Sequence, residues 1–187
     1  MSAKVSLSLA TLVLCTLSAM GTAQISYQVT DIKLSDTWRL MFLFTLAFWK
    51  NGLVQDMGTL GGDNSTPAAL NNAGQAVGSS QLSNGHTHGF LWQTGHIQDL
   101  GVPPGYTDGF ASAINEIGQI VGSLYTGSES HPAIYASGQW TDLNDLVPPD
   151  FRPIVGGAVG INNPGTIVVT EGSKFSGRTL LLVPKTQ

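Results

Sequence analysis

The sequence predicts an all-β protein made of repeated four-stranded antiparallel blades. They are expected to form a small propeller-like array of about four blades, the first incomplete, or an open β array. Three observations carry this. Trp49-Lys50-Asn51-Gly52 returns as Trp92-Gln93-Thr94-Gly95, and Gln55-Asp56-Met57-Gly58 as Gln98-Asp99-Leu100-Gly101, each 43 positions on. Asp99-Leu100 returns once more as Asp142-Leu143 at the same step, and a period of this size made of short β-type segments marks blades or a solenoid. Composition agrees: 23 glycines and 11% charged residues, against roughly 25% charged in average proteins, suit a turn-rich sheet protein.

One unit is legible across residues 67–101. Ala68-Ala69-Leu70-Asn71 reads as a short first strand and Gln75-Ala76-Val77-Gly78-Ser79 as a second, joined by Asn72-Ala73-Gly74. The polar loop Gln81 to Thr87 leads to Gly89-Phe90-Leu91-Trp92, and Gln93-Thr94-Gly95 turns into the fourth strand, His96 to Leu100. Strands bounded by turn residues at this spacing make an antiparallel blade. Glu116-Ile117-Gly118 and Asn163-Pro164-Gly165 sit where Asn72-Ala73-Gly74 does, because a tight hairpin needs a residue at φ > 0 and glycine supplies it without steric cost. Pro164-Gly165 suits positions i+1 and i+2 of a type II turn. Asn71, Asn115 and Asn162 precede the three turns, placed for an amide to cap the turned backbone.

The strings Ile114-Asn115-Glu116-Ile117-Gly118-Gln119-Ile120-Val121-Gly122, Gly89-Phe90-Leu91-Trp92 and Asp56-Met57-Gly58-Thr59-Leu60-Gly61-Gly62 resemble the bacterial extracellular HAF repeat. The likeness covers residues 49–145 well and 158–184 loosely. It implies secretion and a propeller-like β repeat, and says little about activity.

The N-terminus reads as a secretory signal over residues 1–23. Lys4 is the only charge before Asp31, Val5 to Ala19 is mostly apolar, and Gly21-Thr22-Ala23 sets small residues before a cut at Gln24. An apolar run of about 15 residues falls short of the roughly 20 that span a bilayer, so cleavage is expected and no transmembrane anchor in the mature chain. The single cysteine, Cys15, lies inside that run, leaving residues 24–187 as one β-repeat domain without disulfide or thiolate ligand. Its units are 24–58 (truncated), 59–101, 102–145 and 146–187.

Two departures from the repeat stand out. Tyr27-Gln28-Val29-Thr30-Asp31-Ile32 resembles a fourth strand, yet Asp31 precedes Asp56 by only 25 residues, so the first two strands of that unit are missing. Thr37 to Trp49 fills the place with an apolar run, read as a degraded blade with a buried or aggregation-prone strand, a partner-binding strand, or a local lesion of the repeat. The last unit ends at a third strand, Thr179 to Val183. Pairing of Ser26–Ile32 with it would cover edges that otherwise template association.

The titratable residues fit no catalytic constellation. His88 and His131 recur at the repeat step, which favours hydrogen bonding within each blade over metal binding. His86-Thr87-His88 could set two rings on one strand face, but no carboxylate lies close in sequence. Asp56, Asp99 and Asp142 occupy equivalent places on successive blades, so architecture accounts for them without glycosidase chemistry. No Gly-x-Ser-x-Gly elbow is present, and Gly61-Gly62-Asp63-Asn64-Ser65 reads as a connecting turn. Trp49, Trp92 and Tyr135 read as core aromatics of third strands. No catalytic residue, metal ligand or cofactor is expected.

One positional argument points to a binding face. In a four-stranded meander the second-to-third loops and the connectors between blades share one end. The stretches 80–87, 102–110, 124–131, 147–156 and 171–177 all fall there, and binding residues concentrate on longer loops held by a rigid scaffold. Tyr106, Tyr125, His86, Asp108 and Phe151 are the ligand-binding candidates. Basic residues are scattered and the net charge is −4, which argues against nucleic acid. The expected function is a secreted or cell-surface interaction module without catalysis, its partner a glycan or a surface protein. The alternatives are a sugar-processing propeller hydrolase and a degenerate repeat fragment without independent function.

Overall fold

The computed structural model describes residues 46–50, 53–172 and 177–185. The expected signal segment, Ser26–Ile32, residues 37–45 and residues 173–176 lie outside them. Everything described is antiparallel sheet apart from loops and two short 3-10 turns, Leu143–Asp145 and Pro149–Phe151. Strands β1 (Leu46–Lys50) and β2 (Leu53–Gly58) form a hairpin with Trp49 opposite Val54. Strands β3 (Gly61–Leu70), β4 (Ala76–Leu82), β5 (Thr87–Gln93) and β6 (His96–Asp99) pair in chain order, as do β7 (Asp108–Ile114), β8 (Ile120–Thr126), β9 (Glu129–Ala136) and β10 (Gln139–Asp142). Strands β11 (Gly156–Ile161), β12 (Ile167–Gly172) and β13 (Gly177–Leu182) make a three-stranded sheet. No closed ring is seen among the described residues.

The β3–β4, β7–β8 and β11–β12 turns share one construction. Asn71 N–H donates to the Gln75 carbonyl at 3.0 Å, Gly74 N–H donates to the Asn71 carbonyl at 3.1 Å, and Asn71 Oδ1 accepts the Gln75 N–H at 3.1 Å. Asn115 does the same with Gln119 and Gly118, and Asn162 with Thr166 and Gly165. Gly74, Gly118 and Gly165 hold φ of 77°, 82° and 86°, a left-handed step that lets a three-residue loop rejoin its ladder. Gly165 is therefore the fourth residue of its turn and Pro164 the third, one place later than the sequence suggests. A two-residue type II loop lacks the residue that this step requires.

These turns are also tied to one another. Asn71 Nδ2 donates to the Asn115 carbonyl at 3.1 Å, and Asn115 Nδ2 donates to the Asn162 carbonyl at 3.1 Å. The same amides also bond Gln75 Oε1 and Gln119 Oε1 at 2.7 and 2.8 Å. Beside them Asn72 N–H and Nδ2 donate to the Glu116 carboxylate, and Glu116 N–H donates to Asn163 Oδ1. Asn71 and Asn115 are buried; the Asn71–Asn115 bond is made out of water, where leaving it unmade would cost most, the Asn115–Asn162 bond is partly covered, and the Glu116 bonds are exposed.

Each first strand carries a register shift at the same place: Pro67/Ala69, Ala111/Ala113 and Ala158/Gly160. A bulge sharpens local twist and brings the bulged strand close to its partner. A Cβ at Gly78 or Gly122 would collide with the carbonyl oxygen of Thr66 or Phe110, so glycine is needed at both. Strand β3 is also longer than expected. Gly61 to Ser65, read as a connecting turn, lies within the strand across an irregular register. Side chains hold this segment: Leu60 N–H donates to Ser80 Oγ at 2.9 Å, Ser80 Oγ to the Asn64 carbonyl at 3.2 Å, and Ser65 Oγ to the Gly58 carbonyl at 3.0 Å.

Apolar side chains lie on both faces of the middle sheets, which is how the chain buries a core with so few charges. Ala76, Phe90 and Trp92 pack with Met57 of β2. On the opposite face Val77 joins Ala111, Ile114, Ile120, Leu124, Ala133 and Trp140 of the β7–β10 sheet. Val121, on that sheet's other face, joins Leu143, Val147, Ile154, Ala158, Ile167 and Val169. Val77 and Ala76, like Val121 and Ile120, are chain neighbours serving opposite interfaces, as the two-residue period of a strand requires. Trp92 is buried, and Tyr135 packs edge-on to Trp140 at 5.4 Å.

Replacing Asn115 by Ala removes one buried bond between sheets and two within its turn, and should lower unfolding stability by about 2–4 kcal/mol. Asn162→Ala, at an exposed end with only the bond from Thr166 to lose, should cost about 1 kcal/mol or less. Urea titration of the two variants checks the ranking. Thr94 and Ser137 hold φ of 51° and 53° in the two-residue hairpins before Gly95 and Gly138, a conformation asparagine tolerates better. Thr94→Asn should therefore stabilise by about 0.5 kcal/mol in the same assay.

Candidate functional site

The fourth strands end on a recurring aspartate whose carboxylate folds back onto the chain. Asp56 accepts Gly58 N–H at 2.8 Å, Asp99 accepts Gly101 N–H at 2.7 Å, and Asp142 accepts Asn144 N–H at 2.8 Å. Such Asx bonds end a strand and aim the outgoing connector. In two sheets the same carboxylate takes a histidine from the third strand, 11 residues earlier: His88 Nδ1 lies 2.8 Å from Asp99, and His131 Nδ1 lies 2.8 Å from Asp142. Each histidine thus bonds the aspartate of its own sheet, across the hairpin.

Asp142 has the fullest set of partners. Besides Asn144 N–H and His131 it accepts Asn144 Nδ2 at 2.9 Å and the Tyr106 hydroxyl at 2.8 Å, and the Tyr106 ring meets His131 edge-on at 5.5 Å. Burial alone would raise the Asp142 pKa. The bonds from Asn144 N–H, Tyr106, Asn144 Nδ2 and His131 outweigh it and hold the carboxyl below its ordinary value. Tyr106 moves the other way: burial, then its bond to the Asp142 carboxylate and that negative charge, push the phenol pKa up. Asn144 extends the network, donating to the Ile154 carbonyl at 3.1 Å and accepting Ile154 N–H at 2.7 Å.

Of the five candidate ligand residues, three gather at one end of the sheets, opposite the asparagine turns. His86 Nδ1 lies 3.4 Å from Asp108 Oδ2, with the His86 side chain half exposed at 49%. Asp108 is directly opposite Tyr125 across the β7–β8 ladder, and the Tyr125 ring packs edge-on to Phe110 at 5.3 Å. Burial raises the Asp108 pKa, but bonds from Thr87 N–H, the Thr107 hydroxyl and His86 hold it below the ordinary carboxylate range. The other two stand apart. Tyr106 is turned inward onto Asp142, and Phe151 sits exposed on the second 3-10 turn, with no ring contact or side-chain hydrogen bond to the other four.

The structure shortens two of the expected loops. Stretch 80–87 narrows to a four-residue turn at 83–86, with β4 running to Leu82 and β5 starting at Thr87; stretch 124–131 is a hairpin turning at Gly127-Ser128. Polar sequence there reflects exposed strand ends. Connector 102–107 remains irregular, and 147–156 holds the second 3-10 turn. His86 and Asp108 are brought together across 22 residues. No carboxylate lies close in sequence to the His86-Thr87-His88 pair, but the fold brings Asp108 to His86 and Asp99 to His88. Sequence reading missed Asn144 and Ser80: Gly101 stands 43 residues before Asn144, and with Gly122 the counterpart of Gly78 the place of Ser80 is taken by Leu124.

Among the described residues no group of three or more His, Cys, Asp and Glu side chains is arranged to hold a metal ion, and no helix is long and apolar enough to cross a membrane. Comparison with protein-family models, curated proteins and solved structures gave no match.

The opposed shifts of Asp142 and Tyr106 set a pH signature. Asp142 is depressed in the folded state, so its contribution is present above about pH 4 and lost as pH falls through the folded value. The Tyr106 pKa is raised, so its contribution is present below about pH 10 and lost as pH climbs further. Asp142→Asn should cost about 1–3 kcal/mol at neutral pH and flatten the acid limb of stability against pH. Tyr106→Phe should flatten the alkaline limb and, by removing one of the bonds that depress Asp142, make the acid limb shallower without abolishing it. Urea midpoints measured across both limbs check the pair.

Proposed function

We propose that this chain is a secreted or cell-surface interaction module of HAF-repeat type, recognising carbohydrate or another surface protein through the end of the sheets that carries His86, Asp108 and Tyr125. The observation supporting this is a division of labour among the polar residues. The recurring histidines and aspartates are spent on holding their own sheets, His88 with Asp99 and His131 with Asp142. The His86–Asp108 pair has no repeat counterpart among the described residues and keeps a half-exposed imidazole beside a carboxylate. Tyr125 adds an aromatic body with a polar tip directly across the ladder. A sugar is recognised by such a combination: an apolar ring face to pack on, with a donor and an acceptor beside it.

Hydrolysis is not favoured. The carboxylate with the fullest set of partners, Asp142, accepts bonds from Tyr106, His131 and Asn144, which commits it to structure and leaves it no proton to give. Tyr106 and Phe151 fall outside this proposed surface, Tyr106 because its hydroxyl is engaged and Phe151 because it stands alone.

A glycan array probed with the full chain, with binding to whole cells measured in parallel, tests the reading. Saturable binding is expected, reduced about tenfold or more by Tyr125→Ala or His86→Ala and unchanged by Tyr106→Phe or by Asn72→Ser at the opposite end. Binding that survives both Tyr125→Ala and His86→Ala would overturn it, as would turnover of a glycoside substrate.

A further inference from the structure

The face of the β11–β13 sheet turned away from the β7–β10 sheet repeats a row of side chains that the other two sheets use as an interface. Ala69, Val77 and Leu91 stand opposite one another across β3, β4 and β5, and they pack against the β7–β10 sheet. Ala113, Val121 and Ile134 make the same row across β7, β8 and β9 and pack against β11 and β12. The third copy of the row is Gly160, Val168 and Leu181. Burial differs there. Val77 and Val121 are wholly buried, whereas Val168 is half-buried, Leu181 is 66% exposed and Val183, two residues further along, is 68% exposed.

The two faces of this sheet also differ in charge. Ala158, Ile167, Val169, Leu180 and Leu182 serve the inner face, towards Val121. The only charged side chains of the three strands are Glu171 and Arg178. They sit at the parity of Val169 and Leu180, so strand alternation turns them to the inner side, where they bond each other at 2.6 and 2.9 Å. Thr170 and Thr179, opposite one another and both exposed, continue the outer row. The turn beside the row is built for a neighbour too. Asn71 and Asn115 each send an amide bond to the next sheet, and Asn162 sends none among the described residues.

We propose that a second copy of this chain covers this face, the two β11–β13 sheets stacking outer face to outer face about a two-fold axis. Two observations select that occupant. Where the row is covered within the chain, the cover is each time an apolar sheet face of the same repeat, so the new contact continues an interface the chain already makes twice. The strands also bring no charge to the outer face. A copy of itself therefore meets no like-charge repulsion, and a partner chosen by opposite charge finds nothing on these strands to pair with. A two-fold contact uses the same patch on both chains and closes on itself, so association stops at the dimer. His86, Asp108 and Tyr125 take no part in it. Three strands of about six residues span only a few hundred Å², less than the roughly 800 Å² per partner of a stable complex, so the dimer forms reversibly with concentration.

Sedimentation equilibrium of the full chain, with Cys15→Ser as background to exclude disulfide dimers, tests this from about 1 µM to about 1 mM. The mass should rise from one chain to two and no further. Thr170 is the reporter, because it is exposed on the outer side of β12, whose two edges are both paired; its substitution reads the face and not a strand edge. Thr170→Lys and Thr170→Glu should each raise the dissociation constant about tenfold or more by setting like charges against each other, with circular dichroism unchanged. An equimolar mixture of the two variants should bind at least as tightly as the parent, since opposite charges then meet. A chain that stays monomeric throughout, a dimer that both variants leave intact, assemblies larger than two, or a mixture no tighter than either variant alone would each overturn the proposal.

Discussion

The described structure depends on one side chain repeated three times: the asparagine that opens the turn between first and second strands. Its oxygen closes its own turn, while the amide nitrogens of Asn71 and Asn115 reach the carbonyl of the next asparagine. A hydrophobic interface between sheets is non-directional and would tolerate sliding. The asparagine bonds are directional and wholly or partly buried, so they fix where each sheet stands along its neighbour. Glu116 adds a second tie at the same level, accepting from Asn72 while its own N–H donates to Asn163.

The far end of the sheets is organised on a different principle. There the fourth-strand aspartates act within a sheet, ending the strand and collecting a histidine across the hairpin. In one place the connector joins in, as Tyr106 reaches from the loop between β6 and β7 to Asp142 of β10. One end is thus stitched from sheet to sheet and the other mainly within sheets. The sheet-to-sheet end is committed to bonding, and the other end keeps polar groups such as His86 in contact with water.

Much of this was legible in the sequence, and the misses have physical reasons. The repeat step and the turn glycines mark strand order because glycine at φ > 0 is a local requirement. The histidine step of 43 residues marks a shared place in the sheet, though not its partner, since a contact across a hairpin leaves no trace in local composition. Gly61 to Ser65 misled because glycine, aspartate, asparagine and serine are turn formers by propensity. Here Ser80, from the neighbouring strand, and Ser65 within the segment supply hydrogen bonds that hold it extended. The loops at 80–87 and 124–131 misled in the same direction, their polar residues being exposed strand ends. Tyr106 looked like a surface aromatic on a connector. Only the fold reveals that the connector crosses above Asp142.

The asparagine link also bears on how such a chain can change in length. Donor and acceptor both reside in a single turn, so every unit arrives carrying the group its predecessor needs and the group its successor will use. Insertion or loss of a whole unit creates no orphaned amide inside the array; it only moves the two terminal positions. Asn162 already illustrates a terminal position, since it accepts from Asn115 and passes no amide bond onward among the described residues. Gene duplication can therefore extend the protein by one unit at a time without redesigning any existing interface, and the links already span units of 44 and 47 residues.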